Sequence, residues 1–260
     1  MKISVLVVTY NEEKRLKDCL QSLKKFPDII VADIGSTDRS VEIAQEMGVK
    51  VIHHAWVPIG EMVIPSVISI FKNDWLIRVD PDEILPQELV NDLILLEVDD
   101  KTGIIQIPYQ YYFLGRKLGT TVWGGLRLFP RIIHRKRVDV NPSVHQILSC
   151  NPGYQEFIIP PRPENAVQHY WIDSCQQLWE KHWRYIKMEG EARYKDGKRF
   201  SLTYLCLESL KALYISLISK QGWQGGLTGI FLSLFYAWYN FMSIMSLGVY
   251  QLGKLRQNNK

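Results

Sequence analysis

Three carboxylates follow one apolar segment of the chain, and their spacing suggests metal chemistry. The stretch "LIRVDPDEIL", residues 76–85, places Asp80, Asp82 and Glu83 directly after a run that is typical of a buried strand. Asp80 and Asp82 are two residues apart, so an extended backbone points both side chains to the same side, and Pro81 favours that geometry at Asp80. Carboxylate oxygens suit Mg²⁺ or Mn²⁺, and such an ion keeps positions for substrate phosphates. This D-x-D pair therefore predicts a metal site for a diphosphate ligand.

A structural explanation of the same residues stays open. Asp82 and Glu83 could begin a helix through "EILPQELVNDLILL", because acidic side chains are favoured at the positive end of a helix. A calcium loop of the EF-hand type is disfavoured, since the sixth position from Asp80 is Leu85, where that loop needs glycine. The neighbouring segments must decide between metal binding and helix initiation.

The first ninety residues alternate between strand and helix patterns. Apolar, β-branched runs predict strands at "ISVLVVT", "DIIVAD", "VKVIHH" and "DWLIRVD", and amphipathic segments predict helices at "NEEKRLKDCLQSLKKF" and "STDRSVEIAQEMG". Residues 55–73 are ambiguous between loop and helix. Alternation of this kind predicts an α/β fold with a parallel sheet, whose ligands collect at the carboxyl ends of the strands.

Polar residues also follow the first two predicted strands. "VTYNEE", residues 8–13, and "ADIGSTDRS", residues 32–40, bring small and acidic groups to strand ends, where the backbone and Asp33 could bind a base or ribose. Helix capping by Asn11 or Thr37 explains either segment alone. Together with the Asp80 strand end, however, the segments predict one shared crevice. The chain lacks the glycine patterns of dinucleotide-binding and P-loop proteins, which weakens those two interpretations.

These segments resemble, in order and spacing, the family 2 glycosyltransferases of the GT-A fold. "VVTYNEE", "DIGSTDRSVEIA" and "RVDPDE" match the characteristic N-terminal segments of that family. The later segments "LRLFPR", "VHQ" and "HYWIDSCQQLWEKHWRYIKMEGEARYKDG" are similar to the bacterial branch that modifies lipopolysaccharide core or other envelope glycans. The resemblance implies a Rossmann-like, mostly parallel sheet flanked by helices, and transfer of a sugar from a nucleotide-sugar donor, a UDP-sugar, to an envelope glycan or glycolipid.

The resemblance also implies roles for individual residues. Asp80 and Asp82 would bind the metal and the diphosphate of the donor, and His145 would lie near that metal. The nucleotide-sugar pocket would be lined by Thr9, Tyr10, Asn11, Glu12, Asp33 and Asp80.

Sugar transfer needs a stabilised leaving group and a base. Negative charge builds on the departing phosphate, and Arg127 in "GGLRLF" is a candidate to stabilise it beside the cation. An inverting, in-line displacement also needs a group that takes the acceptor proton, and the candidates are Glu83, Asp139 and His145. His169 is predicted to be a hydrogen-bonded structural residue.

Two departures from the family pattern favour a rival function. Gln146 stands where relatives often carry an acidic residue, and "GEMVIPSVIS", residues 60–69, is apolar where relatives usually show an Arg-Asn or Gln-Asn pair. The rival is a non-catalytic protein that holds nucleotide sugar or organises a membrane complex. A nucleotidyltransferase is a weaker alternative, and it would release pyrophosphate rather than a nucleoside diphosphate.

Composition and length agree with a folded intracellular protein. The 260 residues are 47% hydrophobic, and the net charge of +4 is too small to indicate nucleic acid binding. Four widely spaced cysteines predict neither a zinc site nor a disulfide framework, which indicates a reducing compartment. The N-terminal segment lacks the pattern of a signal peptide, so we expect a cytoplasmic location.

The C-terminal part of the chain differs in amino-acid composition from the rest. We expect a catalytic domain at 1–172, with a nucleotide-sugar half at about 1–100 and an acceptor half at about 101–172, followed by a helical region at 173–260. No charged residue lies between Lys220 and Lys254. That segment either spans a bilayer, lies on its inner face, or packs inside the protein or an oligomer. Peripheral contact with the cytoplasmic membrane would suit a lipid-linked acceptor.

Overall fold

The computed structural model describes residues 1–139 and 149–258, with side chains up to residue 255. The chain divides into two compact units. The first comprises Met1–Gln110 and Leu126–Tyr170, and the second comprises Tyr111–Gly125 and Trp171–Lys260. The C-terminal segment of the second unit begins at Trp171, next to the boundary expected after residue 172. Residues 111–125, which we expected in the catalytic domain, group with this second unit.

Within the described residues, ten strands form one mixed sheet. The strands are β1 Ile3–Thr9, β2 Asp28–Asp33, β3 Lys50–His53, β4 Trp75–Val79, β5 Glu83–Ile84, β6 Thr102–Phe113, β7 Arg116–Lys117, β8 Leu126–His134, β9 Gln155–Ile158 and β10 Val167–Ile172. Their order is β3-β2-β1-β4-β8-β6-β10-β5, and β7 and β9 both pair with β6. The first four strands are parallel to one another, whereas β8 is antiparallel to both β4 and β6. The sheet is therefore mixed and not mostly parallel.

Seven α-helices accompany the sheet in the described part of the chain. They are α1 Leu16–Leu23, α2 Ser40–Glu46, α3 Ile64–Val67, α4 Gln87–Leu95, α5 Cys175–Lys195, α6 Leu202–Tyr214 and α7 Gly226–Asn258. The predicted strands and the two helices among the first eighty residues are confirmed within a few residues at each end. The alternative in which Asp82 and Glu83 begin a helix is wrong, because Glu83 belongs to β5 and α4 begins only after Pro86. Leu85 precedes that proline, and the residue before a proline is disfavoured in helical geometry.

The early elements form for reasons visible in their side chains. All seven residues of β1 are buried, as expected for a strand that lies between two parallel neighbours and is covered on both faces. In α1 the buried residues are Leu16, Cys19, Leu20 and Leu23, whose spacing places them on one helix face. These elements hold the carboxyl ends of β1, β2 and β4 in fixed positions.

The apolar segment 60–69 also has a structural role. It forms a short 3₁₀ helix at Gly60–Val63, then α3, then another 3₁₀ helix at Ile68–Ile70. Val63, Ile64 and Val67 join a buried cluster with Leu6 and Leu76 of the sheet. Core packing therefore explains why this segment is apolar.

The second unit is a helical bundle with an aromatic interior. Ser174 and Ser201 cap α5 and α6 through side-chain oxygens that accept backbone N–H groups, which is the usual role of serine at a helix start. Trp123 and Trp171 stack with their ring centroids 4.7 Å apart, and His182 meets Phe235 edge-on at 4.8 Å. A mixed sheet flanked by helices, followed by an aromatic-rich helical region, confirms the predicted α/β fold class with its C-terminal extension.

Candidate active site

The three polar strand ends lie side by side. In the parallel register Thr9 is opposite Asp33, and Val7 is opposite Val79, the residue before Asp80. Because β2, β1 and β4 are adjacent in the sheet, Thr9, Asp33 and Asp80 all lie at the same edge. The shared sheet edge expected from the sequence is present in the first unit.

The loop after β1 is tied to the loop after β2. Asn11 has a positive φ of 57°, and its side-chain oxygen accepts a hydrogen bond from the backbone of Thr37 at 2.7 Å. The backbone N–H of Glu12 donates to the hydroxyl of Ser40 at 2.8 Å. Tyr10 projects from this loop with 47% of its surface exposed. Asn11 thus holds a neighbouring loop, and Tyr10 offers a ring for a planar ligand.

Thr9 and Asp33 provide polar groups at the base of this loop. The hydroxyl of Thr9 is buried and has no hydrogen-bond partner within residues 1–139 and 149–258. Asp33 accepts hydrogen bonds from the backbone of Gly35 at 3.2 Å and of Ser36 at 3.0 Å, and His53 Nδ1 lies 3.3 Å from it. Burial alone would raise the pKa of Asp33, but these hydrogen bonds outweigh it and lower the pKa below its usual value. Asp33 is therefore a rigid, ionised acceptor.

Asp80 lies among two arginines. Arg78 forms an ion pair with Asp80 through Nη1, and its Nη2 lies 2.7 Å from Glu61 Oε1. Arg131 Nη2 lies 3.9 Å from the second oxygen of Asp80. Asp80 and Asp82 retain 28% and 17% exposure of their side chains. A ligand at the strand end would meet carboxylates and guanidinium groups together.

Glu83 lies beneath this pair and is fully buried. Its Oε2 accepts hydrogen bonds from the backbone of Asp80 at 3.0 Å and from the hydroxyl of Tyr109 at 3.2 Å. Its Oε1 lies 3.3 Å from Arg131 Nη2 and 3.5 Å from His169 Nδ1. Burial raises the pKa of Glu83, the Arg131 guanidinium opposes this, and the Asp80 charge adds to it, so that the pKa lies above its usual value. Glu83 fixes the turn that carries Asp80 and Asp82.

His169 joins the two acidic residues of the turn. Its Nε2 lies 3.3 Å from Asp82 Oδ2, while Nδ1 faces Glu83, and the residue is 6% exposed. β10 brings it there, because His169 pairs with Glu83 in the antiparallel register of β10 and β5. A histidine that the sequence indicates as merely structural therefore contacts a predicted metal ligand.

The other predicted catalytic residues occupy different places. Arg127 packs over the ring of Phe129, and Arg131, further along the same strand, is the arginine that reaches Asp80 and Glu83. Asp139 is exposed and follows the end of β8 that pairs with the start of β4, at the sheet edge opposite Asp80. Asp139 and the buried Glu83 stay predictions for the catalytic base. His145, together with Gln146, lies outside the described residues.

Four residues that contact the acidic turn were not identified as site residues from the sequence: Arg78, Arg131, Tyr109 and His169. Arg78 carried a usable signal, since it is two residues before Asp80 and a strand points both side chains to one side. Arg131 and His169 carried none, because each reaches the site only through strand pairing.

A cavity of about 340 Å³ lies in the first unit beside the arginines. Its polar lining consists of Glu61, Arg78 and Arg131, and the remaining lining is apolar, from the sheet and from the segment at α3. The cavity gives a partly enclosed space beside Arg78 and Arg131, the two arginines that lie near Asp80.

The carboxylate oxygens at the strand end suit a hard divalent cation that also binds a substrate. In the part of the chain that the structure describes, no group of three or more His, Cys, Asp or Glu residues is placed to hold a metal alone. Asp80 and Asp82 supply carboxylate oxygens, and Mg²⁺ typically binds through one or two carboxylates plus substrate phosphates. The two residues therefore suit an ion that arrives with a diphosphate.

Comparisons with known proteins identify a glycosyltransferase family. The family model described as Glycosyl transferase family 2 matches residues 4–153. An uncharacterized glycosyltransferase of Rickettsia typhi is 28% identical over 260 residues, which cover 95% of this chain and 86% of that protein. The lipopolysaccharide core biosynthesis glycosyltransferase LpsC of Rhizobium meliloti is 23% identical over 257 residues, covering 94% of this chain and 90% of that protein.

Solved structures give a partial match. Glucosyl-3-phosphoglycerate synthase of Mycobacterium tuberculosis, in complex with Mn²⁺, UDP and glucosyl-3-phosphoglycerate, aligns with a TM-score of 0.34 and 20% identity. The alignment covers 43% of this chain and 44% of that chain, less than half of either.

Proposed function

Because the chain belongs to glycosyl transferase family 2, we propose that its strand-end site transfers a sugar from a nucleoside-diphosphate sugar to an acceptor hydroxyl. The observation that carries this proposal is the common edge of β2, β1 and β4, where Thr9 and Asp33 lie beside the Asp80 and Asp82 pair. Ligands of open α/β sheets bind at such an edge.

The nucleoside part of the donor would occupy the side of the crevice at β1 and β2. The buried Thr9 hydroxyl lacks a partner among the described residues and can hydrogen-bond a ligand. Asp33 is held ionised and can accept hydrogen bonds from a base or a ribose, and the exposed ring of Tyr10 can stack on a base. Asn11 and Glu12 would hold this pocket in shape, since both contact the loop after β2.

The diphosphate would lie at the Asp80 and Asp82 end of the crevice. These residues would hold Mg²⁺ or Mn²⁺, and the ion when bound would neutralise charge on the departing nucleoside diphosphate. We assign to Arg131 the leaving-group role that the sequence suggested for Arg127, because Arg131 reaches Asp80. Arg78 is a second cation at the same place.

Glu83 and His169 would position the turn instead of reacting. Glu83 is fully buried and holds the backbone N–H of Asp80, and His169 contacts Asp82 from β10. His145 stays our predicted base for an inverting displacement, and it also stays a predicted metal neighbour.

The acceptor is proposed to be an envelope glycan or glycolipid at the inner face of the cytoplasmic membrane. The similarity to the lipopolysaccharide core biosynthesis glycosyltransferase LpsC supports this acceptor class, because that protein aligns over 94% of this chain.

Binding and turnover of a donor panel test the proposal. Purified protein is titrated with UDP-, GDP- and ADP-sugars, with and without Mn²⁺, and each donor that binds is incubated with envelope extract. We expect metal-dependent binding of one donor class and release of the nucleoside diphosphate. Absence of binding for every donor would refute the site, and binding without turnover would instead favour the scaffold function.

Two matched variants at opposite ends of β4 test whether metal-dependent donor binding belongs to Asp82. Asp82→Asn should weaken donor binding in Mn²⁺ by about tenfold or more, because an ion with two protein carboxylates loses one of them. Asp74→Asn is the control, since Asp74 precedes the other end of β4 and pairs with Arg135 and Lys136. Equal effects of the two variants would contradict a metal site at Asp82.

A further inference from the structure

The longest helix of the second unit exposes an apolar stripe along its length. Nine large apolar side chains of α7 are each at least 38% exposed, and seven of them form the stripe. These seven are Leu227, Phe231, Leu234, Phe241, Met245, Val249 and Leu252. Successive members are three, four or seven residues apart, so they lie on one face of the helix. Nothing polar interrupts this stripe.

Helix α6 presents a second stripe beside the first. Leu207, Leu210 and Tyr214, together with Ile218 in the π-helix Ile215–Ser219 that continues α6, are 50–65% exposed and also recur every three or four residues. The two helices are antiparallel neighbours, because the Ser216 hydroxyl donates to that of Ser233 at 3.0 Å at one end, and Gln251 accepts from the backbone of Phe200 at 3.0 Å at the other. We refer to the two stripes together as the α6–α7 face.

These helices are not the interior of a folded unit. Residues 202–219 and 222–255 are long and apolar enough to cross a bilayer by length and composition, yet only 17% and 33% of their best windows are buried. A core helix of a water-soluble protein would be mostly buried. Exposed apolar patches of this extent mark an interaction surface.

The polar helix α5 limits how the α6–α7 face can meet a membrane. α5 runs parallel to α7, with Trp179 at 4.5 Å from Trp238 and Tyr194 at 5.4 Å from Tyr250 between ring centroids. Between these contacts the Tyr239 hydroxyl donates to Glu189 at 3.1 Å. If α7 crossed a bilayer, the charged residues of α5 would enter the hydrocarbon with it, which is costly. The helices can instead lie in the plane of the interface with α5 towards water.

Cations lie at both ends of this face. Lys198 and Arg199 precede α6 and are close in space to the end of α7 through the Phe200 contact with Gln251. Lys220 lies between α6 and α7 at the other end, and all three of these cations are exposed. Basic residues that border an apolar face favour anionic lipid headgroups.

We propose that the α6–α7 face is a monotopic membrane anchor that lies in the interface of an anionic bilayer. The proposal deepens the location given under the proposed function, but it concerns attachment and not sugar transfer. Its test uses neither donor nor acceptor, so its failure is distinguishable from failure of the transferase proposal.

Vesicle binding tests the proposal with matched variants. The full chain is mixed with vesicles of phosphatidylethanolamine and phosphatidylglycerol, and bound protein is separated by flotation. The variant Leu227→Gln, Leu234→Gln, Leu252→Gln should bind at least about tenfold more weakly, since three exposed leucines no longer enter the apolar layer. These side chains are 53–86% exposed, so the variant keeps its internal packing.

The control places the same chemical change on the first unit. Ile94→Gln, Leu95→Gln, Ile158→Gln also replaces three exposed apolar residues and should bind vesicles as the unaltered chain does. Equal losses in both variants would contradict a defined face. Vesicles of phosphatidylcholine alone should bind several-fold more weakly than the anionic vesicles, because the cations then lack their partners.

Two native cysteines report which helix enters the lipid. Cys206 on α6 and Cys175 at the start of α5 are both exposed. Cys19 is buried, and burial and the nearby Glu83 carboxylate raise the pKa of its thiol well above its ordinary value, so it resists labelling. A polarity-sensitive dye on Cys206 should shift to the blue with anionic vesicles, whereas the same dye on Cys175 should not.

A second copy of the chain is the competing occupant of the α6–α7 face. Light scattering without vesicles would then show a dimer that the leucine variant dissociates, and neither dye would shift on adding lipid. That combination would overturn the proposal. A blue shift of both dyes would also overturn it, because α5 would then lie in the bilayer with α7.

Discussion

His182 should make the second unit sensitive to acid. It is 5% exposed on α5, its ring meets those of Phe235 and Tyr239, and Nδ1 donates to the carbonyl of Leu178 at 2.8 Å. Burial lowers the pKa of His182 from 6.5 to about 4, because the aromatic surroundings cannot solvate the charged ring.

The change in the free energy of unfolding with pH follows from the difference in the His182 pKa between the folded and unfolded chain. The unfolded chain takes up the proton near pH 6.5, before the folded one does, so stability falls as pH drops below 6.5 and stops falling below about pH 4. At 1.36 kcal/mol per pKa unit the full loss is about 3 kcal/mol, of which about 2 kcal/mol is lost by pH 5. The largest change therefore lies between pH 6.5 and pH 4.

Urea unfolding followed by tryptophan fluorescence measures this loss. Six of the eight tryptophans belong to the second unit, so the signal reports mainly on it. Between about pH 7.5 and pH 5 the unaltered chain should lose about 2 kcal/mol more than His182→Phe, which keeps a ring in the cluster. His54→Gln is the control and should retain the full loss. Parallel pH profiles for the unaltered chain and His182→Phe would refute the reasoning.

Two further predictions concern buried contacts. Glu83→Gln should lower the free energy of unfolding by about 1–3 kcal/mol, because it removes the charge that pairs with the buried Arg131 guanidinium. The same change should cost far less in an Arg131→Met background, where no guanidinium is left unpaired. Additive losses in urea titrations would show that the pair is not coupled. Gly190→Ala should cost about 1–3 kcal/mol, since its added carbon would meet the Ser246 carbonyl at 2.5 Å. Gly253→Ala, with open space around it, should instead stabilise the chain by up to about 1 kcal/mol, and equal melting temperatures for both alanine variants would contradict the close α5–α7 contact.

The early strands and helices were predictable because their signals are local. β1 and β2 are apolar runs that end at polar residues, and the predicted strand segments coincide with the observed Ile3–Thr9 and Asp28–Asp33. The common edge of Thr9, Asp33 and Asp80 followed from the rule that parallel strands end together. The D-x-D pair was readable from residue types alone.

The surroundings of that pair were not predictable in the same way. Arg131 reaches Glu83 across 48 positions of sequence, and no spacing rule connects them. The sequence favoured Arg127 as the catalytic arginine and a structural role for His169. The pairing of β8 with β4, and of β10 with β5, instead places Arg131 and His169 against the acidic turn.

The sequence by itself determined the strand ends, the acidic turn and the family to which the chain belongs, because side-chain period and residue type act over a few neighbouring positions. It also indicated the apolar C-terminal segment, although spanning, surface attachment and internal packing stayed open. Only the tertiary structure decided that Glu83 is buried beneath Asp80 and that α7 packs one face on α5 while exposing the other. Antiparallel pairing and helix packing join residues distant in sequence, and the free energy of those contacts belongs to the folded chain as a whole.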